Sequence, residues 1–157
     1  MASIKGIELK NVKTFRGVEY PTCYQGTLYY NGKKMGFWSH DSWGGPNHYE
    51  FNTSELDKIA KEYYGEESYY DLDCLIDEVL NLREYEKTFK KNVKNGYDST
   101  VVCTDGFREI VVRVPRTTDK EKAQKEAHPY IFDFTNKSPY KDKVKTYVFT
   151  SLEDFNQ

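Results

Sequence analysis

The sequence lacks the features that mark membrane, secreted and metal-binding proteins. No apolar run approaches the roughly 18 residues that are needed to span a bilayer, and the opening MASIKGIELK contains no apolar segment of a signal peptide. Cys23, Cys74 and Cys103 are odd in number and widely spaced, a pattern that fits neither a disulfide framework nor a zinc site. We therefore expect a soluble intracellular protein with free, buried thiols and no cofactor.

The chain also lacks a large excess of positive or of negative charge. The chain has 23 lysines and arginines against 25 aspartates and glutamates, and its net charge of −2 argues against general binding of polyanions. The distribution is uneven, because residues 1–86 carry 15 acids and 9 bases whereas residues 87–157 carry 10 acids and 14 bases. A lysine-rich strip at residues 137–145, with Tyr140, could touch nucleic acid. The overall balance nevertheless argues against direct nucleic acid contact.

Aromatic residues are what the chain has in excess. It contains 14 Tyr, 9 Phe and 2 Trp. A tyrosine ring covers apolar surface while its hydroxyl stays in water, so this excess is typical either of β-sheet faces or of a surface that contacts a partner. Composition alone leaves both interpretations open.

Two dipeptides predict β-hairpins. The NG pair at residues 31–32 and the DG pair at residues 105–106 stand between alternating apolar residues, and both can adopt the positive φ angles of a tight turn. In the strand that follows the first turn, Met35 and Phe37 are expected to share one face.

Helical periodicity appears in the middle of the chain. A shorter helix is predicted at about residues 53–64, with Asn52 as its N-cap and Gly65 as its terminator. A long helix is predicted at about residues 70–94, and TTDKEKAQKEA (residues 117–127) reads as a polar helix or an exposed excursion. The apolar stripe of the long helix consists of Leu72, Leu75, Ile76, Val79, Leu80, Phe89 and Val93.

The order of the elements, strands followed by helices and then strands again, predicts the α+β class. The expected architecture is a single domain over residues 1–157. It consists of an antiparallel β-sheet built from hairpins, with the long helix and the shorter helix packed on one face. No internal repeat or low-complexity tract interrupts the chain.

The stretch GFWSHDSWGGPNHYEF, residues 36–51, is unusually rich in chemically active side chains. Its glycines would let backbone amides approach a ligand, and Trp43 could stack on a planar ring, as a nucleotide or a protein contact would require. The plain alternative is a wide hairpin loop in which glycine and proline only turn the chain. The ligand-binding candidates are His40, Asp41, Trp43, Gly44, Gly45 and His48.

Catalytic and metal sites are weakly indicated. The two histidines and the aspartate of this loop could hold a metal ion, but their irregular spacing predicts no ligand geometry, and no metal is expected. A magnesium-dependent nuclease would use Asp71, Asp73 or Glu109, yet the first two are two residues apart at a helix start and point in different directions. No cysteine is marked as a nucleophile by a neighbouring histidine. We expect a protein that is not an enzyme.

An acidic, tyrosine-bearing segment is the stronger candidate for binding. Residues 61–86 contain nine acids and two bases. Carboxylates along a rigid helix can occupy an Arg/Lys groove built for phosphates, and tyrosines add rigid contact area. A solvated helix face is the plain alternative. The partner-binding candidates are Trp38, Asp41, Trp43, Asn47, His48, Glu66, Glu67, Tyr69, Tyr70, Asp73, Asp77 and Glu84.

The stretch YQGTLYYNGKKMGFWSHDSWGGPNHYEF resembles the amino-terminal part of small proteins encoded by bacterial phages and prophages. In those proteins an N-G-K hairpin runs into an (S)xDxxGG loop and an aromatic strand, and the likeness covers roughly residues 20–55. The matching residues are Asn31, Gly32, Lys33, Ser39, Asp41, Gly44 and Gly45. The resemblance implies a viral accessory protein of the host cytoplasm, of the anti-CRISPR or other anti-defence type.

Three functions remain open in order of preference. The first is a phage inhibitor of a bacterial defence system, in particular a CRISPR effector nuclease, that binds its host target stoichiometrically through an acidic, aromatic-rich surface as a nucleic-acid mimic. The second is a sponge that binds a nucleotide signalling molecule at the loop of residues 39–48. The third is a metal-dependent nuclease. The sequence does not indicate the oligomeric state.

Overall fold

The structure, a computed structural model, describes residues 1–157, and it confirms the α+β class. Two 3-10 helices, Lys141–Lys143 and Leu152–Phe155, accompany the longer elements. The strands and α-helices are β1 (Ser3–Ile4), β2 (Ile7–Phe15), β3 (Cys23–Tyr30), β4 (Lys33–Ser39), β5 (His48–Tyr49), α1 (Ser54–Tyr64), α2 (Leu72–Lys94), β6 (Ser99–Thr104), β7 (Glu109–Val114), α3 (Lys120–Lys137) and β8 (Lys145–Phe149).

The strands form two antiparallel sheets rather than one. A five-stranded sheet has the order β1-β2-β3-β4-β5, and a three-stranded sheet has the order β7-β6-β8. Strands usually pair with their neighbours in sequence, and here the helical stretch separates the first five strands from the last three. The chain divides into two compact units, residues 1–83 with 156–157 and residues 84–155.

The first hairpin forms at the predicted turn, where Asn31 and Gly32 have φ angles of 47° and 77°. In its second strand, β4, the side chains that face the core are not the predicted ones. The register between β3 and β4 shifts after Leu28, so that Trp38 lies opposite Gly26. A bulge of one residue turns the following side chains to the other face of the sheet. Trp38 is therefore buried, and Phe37 is exposed.

Helix α1 begins one residue later than predicted. Its N-cap is Thr53, while the side chain of Asn52 accepts a hydrogen bond from the Ser54 amide at 2.9 Å. Gly65, with a φ of 97°, follows the last helical residue as predicted. Leu56 is buried on the inner face of the helix.

Helix α2 closely matches the predicted range. The side chain of Asp71 accepts a hydrogen bond from the Cys74 amide at 3.1 Å, which satisfies a donor of the first turn. The predicted apolar stripe is buried except at Val93, which is exposed on the last turn. None of the helices combines the length and the apolar composition that crossing a membrane requires.

In the second unit, α3 covers one face of the three-stranded sheet. Val101 of β6 packs with Ala123 and Ala127 of the helix. The helix continues ten residues beyond the predicted polar segment, through Pro129, to Lys137. Proline inside a helix removes one backbone hydrogen bond and disfavours continuation of the helix. Burial of Phe134 in the following turn keeps the chain helical.

Candidate functional site

Asp41 organises the loop between β4 and β5. Its carboxylate accepts a hydrogen bond from the Gly45 amide at 2.8 Å, and its carbonyl accepts one from the Gly44 amide at 3.2 Å. The other carboxylate oxygen lies 3.5 Å from Nε2 of His48. The hydrogen bond from Gly45 is the main reason that the pKa of Asp41 lies below its usual value. Asp41 thus acts within the loop rather than toward a partner.

The two glycines of the loop serve its own packing. Both of their amides are already used by Asp41, so the geometry does not support their predicted role as donors to a ligand. A Cβ atom at position 45 would lie 2.5 Å from the Asp41 carboxylate, and one at position 44 would lie 2.9 Å from the Tyr20 ring. The plain interpretation, in which Gly44 and Gly45 allow the chain to turn tightly, fits these contacts.

Three contacts fasten this loop to the first turns of α2. Asp73 accepts hydrogen bonds from the Asn47 amide at 2.8 Å and from the Tyr49 hydroxyl at 2.6 Å. Burial, reinforced by the bond to Asp73, raises the pKa of Tyr49. Nε2 of His40 lies 3.2 Å from Asp77, one helical turn further along. Asp73 and Asn47, predicted to contact a partner, therefore hold the loop against the helix.

The two tryptophans of the stretch have opposite environments. Trp38 is 0% exposed, and its indole N–H has no hydrogen-bond partner. It cannot serve as the surface anchor that was predicted, because the bulge in β4 turns it into the core. Trp43 is 67% exposed. The loop before β3 meets the loop of Trp43, since the amides of Val18 and Glu19 both donate to the Ser42 carbonyl.

Tyr20 and Val18, both exposed, thus accompany Trp43 at one end of the five-stranded sheet. Sequence reasoning missed both residues. The segment GVEYP has no periodicity, and only the pairing of β2 with β3 places it beside the later loop. The one available signal in the sequence was the proline after Tyr20, which is typical of a turn.

The side chains considered for metal chemistry do not converge. His40 and His48 each lie beside a different carboxylate, and no group of three or more His, Cys, Asp or Glu side chains is placed to hold a metal ion. Asp71 caps α2, as described above. Glu109 belongs to the second unit, where it accepts a hydrogen bond from the Tyr85 hydroxyl at 3.1 Å.

Two exposed aromatic residues of the first unit, one of them its most exposed, lie between α1 and α2, in residues 65–71, which we call the connector. Tyr69 is completely exposed and Tyr70 is 62% exposed, while Glu66 and Glu67 are also at the surface. The connector is ordered by its own hydrogen bonds: the Ser68 amide donates to Gly65 at 3.0 Å, and the Ser68 hydroxyl oxygen accepts from the Tyr70 amide at 3.1 Å.

The ring of Tyr70 packs against a neighbouring tyrosine, which contacts a further one. Its ring centroid lies 5.2 Å from that of Tyr64, which in turn lies 4.9 Å from that of Tyr63. The hydroxyls of Tyr64 and Tyr63 donate to the Glu78 carboxylate at 2.9 and 3.1 Å. Burial and this carboxylate raise the pKa of Tyr64. The edge-to-face contact of Tyr63 with Tyr64 and the tilted contact of Tyr64 with Tyr70 fix the position of one exposed ring of the connector.

The structure therefore divides the predicted contact residues. Trp38, Asp41, Asn47 and Asp73 have structural roles within the first unit. Glu84 lies in the second unit, where its carboxylate is 2.6 Å from Lys87. The candidates that remain at the surface of the first unit are Trp43, His48, Glu66, Glu67, Tyr69, Tyr70 and Asp77.

Comparison with known proteins adds no assignment. No protein-family model, curated protein or solved structure matches the chain. The resemblance of residues 20–55 to phage proteins stays a prediction, and function must be argued from the surface itself.

Proposed function

We propose that the protein is a non-enzymatic phage accessory protein that inhibits a bacterial defence nuclease by stoichiometric binding. The target class is a CRISPR effector, and the contact surface is the connector with the acidic start of α2. The bound nuclease would lose access to nucleic acid because the connector occupies part of its cationic groove.

The observation that carries this proposal is the complete exposure of Tyr69 on an ordered segment. Large aromatic side chains are enriched among the residues that dominate binding energy at protein interfaces. The connector is already fixed by Ser68 and by the cap at Asp71, so little backbone freedom is lost when a partner binds. An exposed ring on such a segment is well suited to fill a pocket on another protein.

Charge supplies the second step. Glu66, Glu67 and Asp71 are exposed within six residues, next to the two tyrosines. Arginines and lysines that bind nucleic acid phosphates would attract these carboxylates. Such complementarity accelerates association and excludes unsuitable partners more than it raises affinity. The exposed Trp43, in the same unit, would extend the aromatic contact.

A cleavage assay tests the proposal. A guide-loaded nuclease of the Cas9 type would be titrated with the protein and then given target DNA. We expect cleavage to stop at a fixed molar ratio of protein to nuclease. We also expect target DNA that is bound first to protect the nuclease from inhibition. Full cleavage at every ratio across a panel of CRISPR effectors would contradict the proposed target class.

The double variant Tyr69→Ala/Tyr70→Ala assigns the surface. We expect it to raise the inhibitor concentration that is required by about tenfold or more, the usual loss at an interface hot spot. Tyr130→Ala is the matched control, because Tyr130 is 61% exposed but lies in the second unit. Equal inhibition by both variants would place the contact elsewhere.

Salt dependence tests the mimicry itself. Binding that depends on carboxylates in a cationic groove should weaken as salt is raised, because the charges are screened. Constant affinity between low and high salt would exclude an electrostatic mimic. The nucleotide-sponge alternative is not favoured by any contact in the loop, since both glycine amides are used internally.

A further inference from the structure

The second unit exposes a pair of stacked rings that the proposed function does not use. Phe107, in the loop between β6 and β7, is 74% exposed. Its ring centroid lies 4.8 Å from that of Tyr140, which follows α3, and the two planes are tilted by 32°. Tyr140 is also exposed. Exposed apolar surface that is contiguous rather than scattered can mark an interaction site.

One buried carboxylate, directly and through Ser138, fixes the backbone of the two residues that carry these rings. Asp105 is 1% exposed and accepts hydrogen bonds from the Phe107 amide at 3.0 Å and from the Ser138 hydroxyl at 2.6 Å. The Ser138 hydroxyl oxygen in turn accepts a hydrogen bond from the Tyr140 amide at 3.0 Å. The bond from Ser138 is the main reason that the pKa of Asp105 lies well below its usual value. The rings are therefore held in place before any partner binds.

A lysine lies against one of these rings: Nζ of Lys143 is 5.5 Å from the centroid of Tyr140. Arg108, next to Phe107 in the chain, is paired with the Asp105 carboxylate at 3.2 Å and also donates to the Lys137 backbone carbonyl at 3.3 Å. Residues 137–145 contain four lysines and a single acid, Asp142.

A groove begins at Arg108, the residue that follows Phe107. It has a volume of about 430 Å³ and lies between β7 and α3, with Ile110 and Val112 among its apolar lining. Arg108 and Lys137 belong to its wall, as do Tyr130 and Asp133. The Asp133 carboxylate is 2.8 Å from Nζ of Lys137, so these two opposite charges of the groove are paired with each other. Tyr130, which is 61% exposed, adds an exposed ring to the groove.

We propose that these residues form a binding platform for single-stranded nucleic acid, with one base stacked on Phe107 and the adjacent phosphates near Lys143 and Lys137. An exposed ring next to lysines is the arrangement that binds single strands without sequence preference, because every base has a flat apolar face. A duplex hides those faces within its own stack, so it would gain only the charge contacts. The proposal is independent of the inhibitor function, since it uses other residues in the other unit.

Fluorescence anisotropy with labelled oligonucleotides of about 12 residues, near the site size of a single binding domain, tests the platform. Oligo-dT and oligo-rU would be used separately at low salt, to distinguish DNA from RNA as the source of the strand. We expect binding to at least one of them, and we expect Phe107→Ala to weaken it by about tenfold or more. Phe132→Ala is the matched control, because Phe132 is also exposed, at 61%, but its ring lies against His128 of α3 and does not line the groove.

Lys143→Ala tests the phosphate contact. For single strands we expect the slope of log K against log salt to fall by about 0.7 for the one lysine removed. An unchanged slope would show that Lys143 does not contact phosphate and would overturn that assignment.

Three further results would overturn the proposal. The first is the absence of binding to either oligonucleotide at low salt. The second is an equal affinity for a duplex of the same length, which would show that the rings do not stack on bases. The third is full competition by poly-glutamate at the same charge concentration, which would identify an acidic protein surface as the partner. Because Phe107→Ala leaves the connector intact, failure here and failure of nuclease inhibition are separate outcomes.

Discussion

The two compact units place exposed aromatic side chains in opposite electrostatic surroundings. In the first unit, Tyr69 and Tyr70 follow Glu66 and Glu67 in the chain; in the second, the ring of Tyr140 lies against Lys143. The first unit carries 13 acids and 9 bases, whereas the second carries 12 acids and 14 bases. The net charge of −2 averages two different surfaces and so describes neither of them.

Both surfaces nevertheless use the same local device. In the connector, Asp71 caps α2 and Ser68 accepts the amide of Tyr70. Beside Phe107, Asp105 and Ser138 form an equivalent pair of a carboxylate and a hydroxyl. Short polar side chains bond readily to nearby backbone amides, which fixes a loop without an apolar core beneath it. The two surfaces thus share their local rigidity and differ in charge, and under our two proposals charge would determine the choice of partner.

The largest expected effect on stability distinguishes a core tryptophan of the first unit from a surface tryptophan. Trp38→Ala should destabilise the protein by about 3–5 kcal/mol, because it removes a fully buried ring and leaves a cavity. Trp43→Ala should change stability by less than about 0.5 kcal/mol, since the ring is mostly in solvent. Urea denaturation of both variants measures the difference. Similar losses would mean that Trp43 also packs structurally.

The next expected effect concerns the buried carboxylate of the second unit. The pKa of Asp105 is lowered in the folded protein, so its stabilising contribution is present above the carboxyl's ordinary pKa of about 4. That contribution is lost as the pH falls through the lower, folded-state pKa. We expect the urea midpoint of the native protein to decrease on acidification below about pH 4.

Asp105→Asn should have a lower midpoint at neutral pH and a smaller decrease on acidification. The amide keeps one acceptor oxygen but loses the charge that the Ser138 hydroxyl and two backbone amides stabilise. Parallel pH profiles for the native protein and the variant would contradict this role. Asp133→Asn, an exposed carboxylate of the same unit, is the control.

How far the sequence predicted the fold depends on whether each signal was local. The turn at Asn31 and the range of α2 were predicted because φ preference and helical periodicity are encoded in adjacent residues. The extension of α3 was not, because Pro129 signals an end while the burial of Phe134 is a tertiary effect. The division into two sheets likewise depends on pairing rather than on any local pattern.

The candidate surfaces show the same limit. The acidic, tyrosine-bearing segment of residues 61–86, which contains the connector, was singled out from composition alone. The inward direction of Trp38 depends on a bulge in β4, which one strand's sequence does not reveal. The stacking of Phe107 on Tyr140 joins residues 33 positions apart through Asp105 and Ser138. Only the folded chain brings such residues together.

A smaller effect is expected behind the connector. Tyr64→Phe removes a hydroxyl that donates to Glu78, which should cost about 0.5–1.5 kcal/mol of stability. The ring that supports Tyr70 is kept, so nuclease inhibition should decrease only slightly. Thermal denaturation and the cleavage assay measure the two quantities. Tyr63→Phe, which removes the other hydroxyl on the same carboxylate, is the control.

The smallest effect on stability belongs to the residue with the largest expected effect on binding. Tyr69 is completely exposed, so Tyr69→Ala should leave the free energy of unfolding within about 0.5 kcal/mol of the native value. In the complex the partner would bury the Tyr69 ring. The same change should therefore cost more than about 1 kcal/mol of binding energy. A variant with native stability and weakened inhibition would identify the connector as the contact surface. Native inhibition would exclude Tyr69 as the anchor and leave Tyr70, or Trp43 with Tyr20, as the exposed aromatic contacts of the first unit.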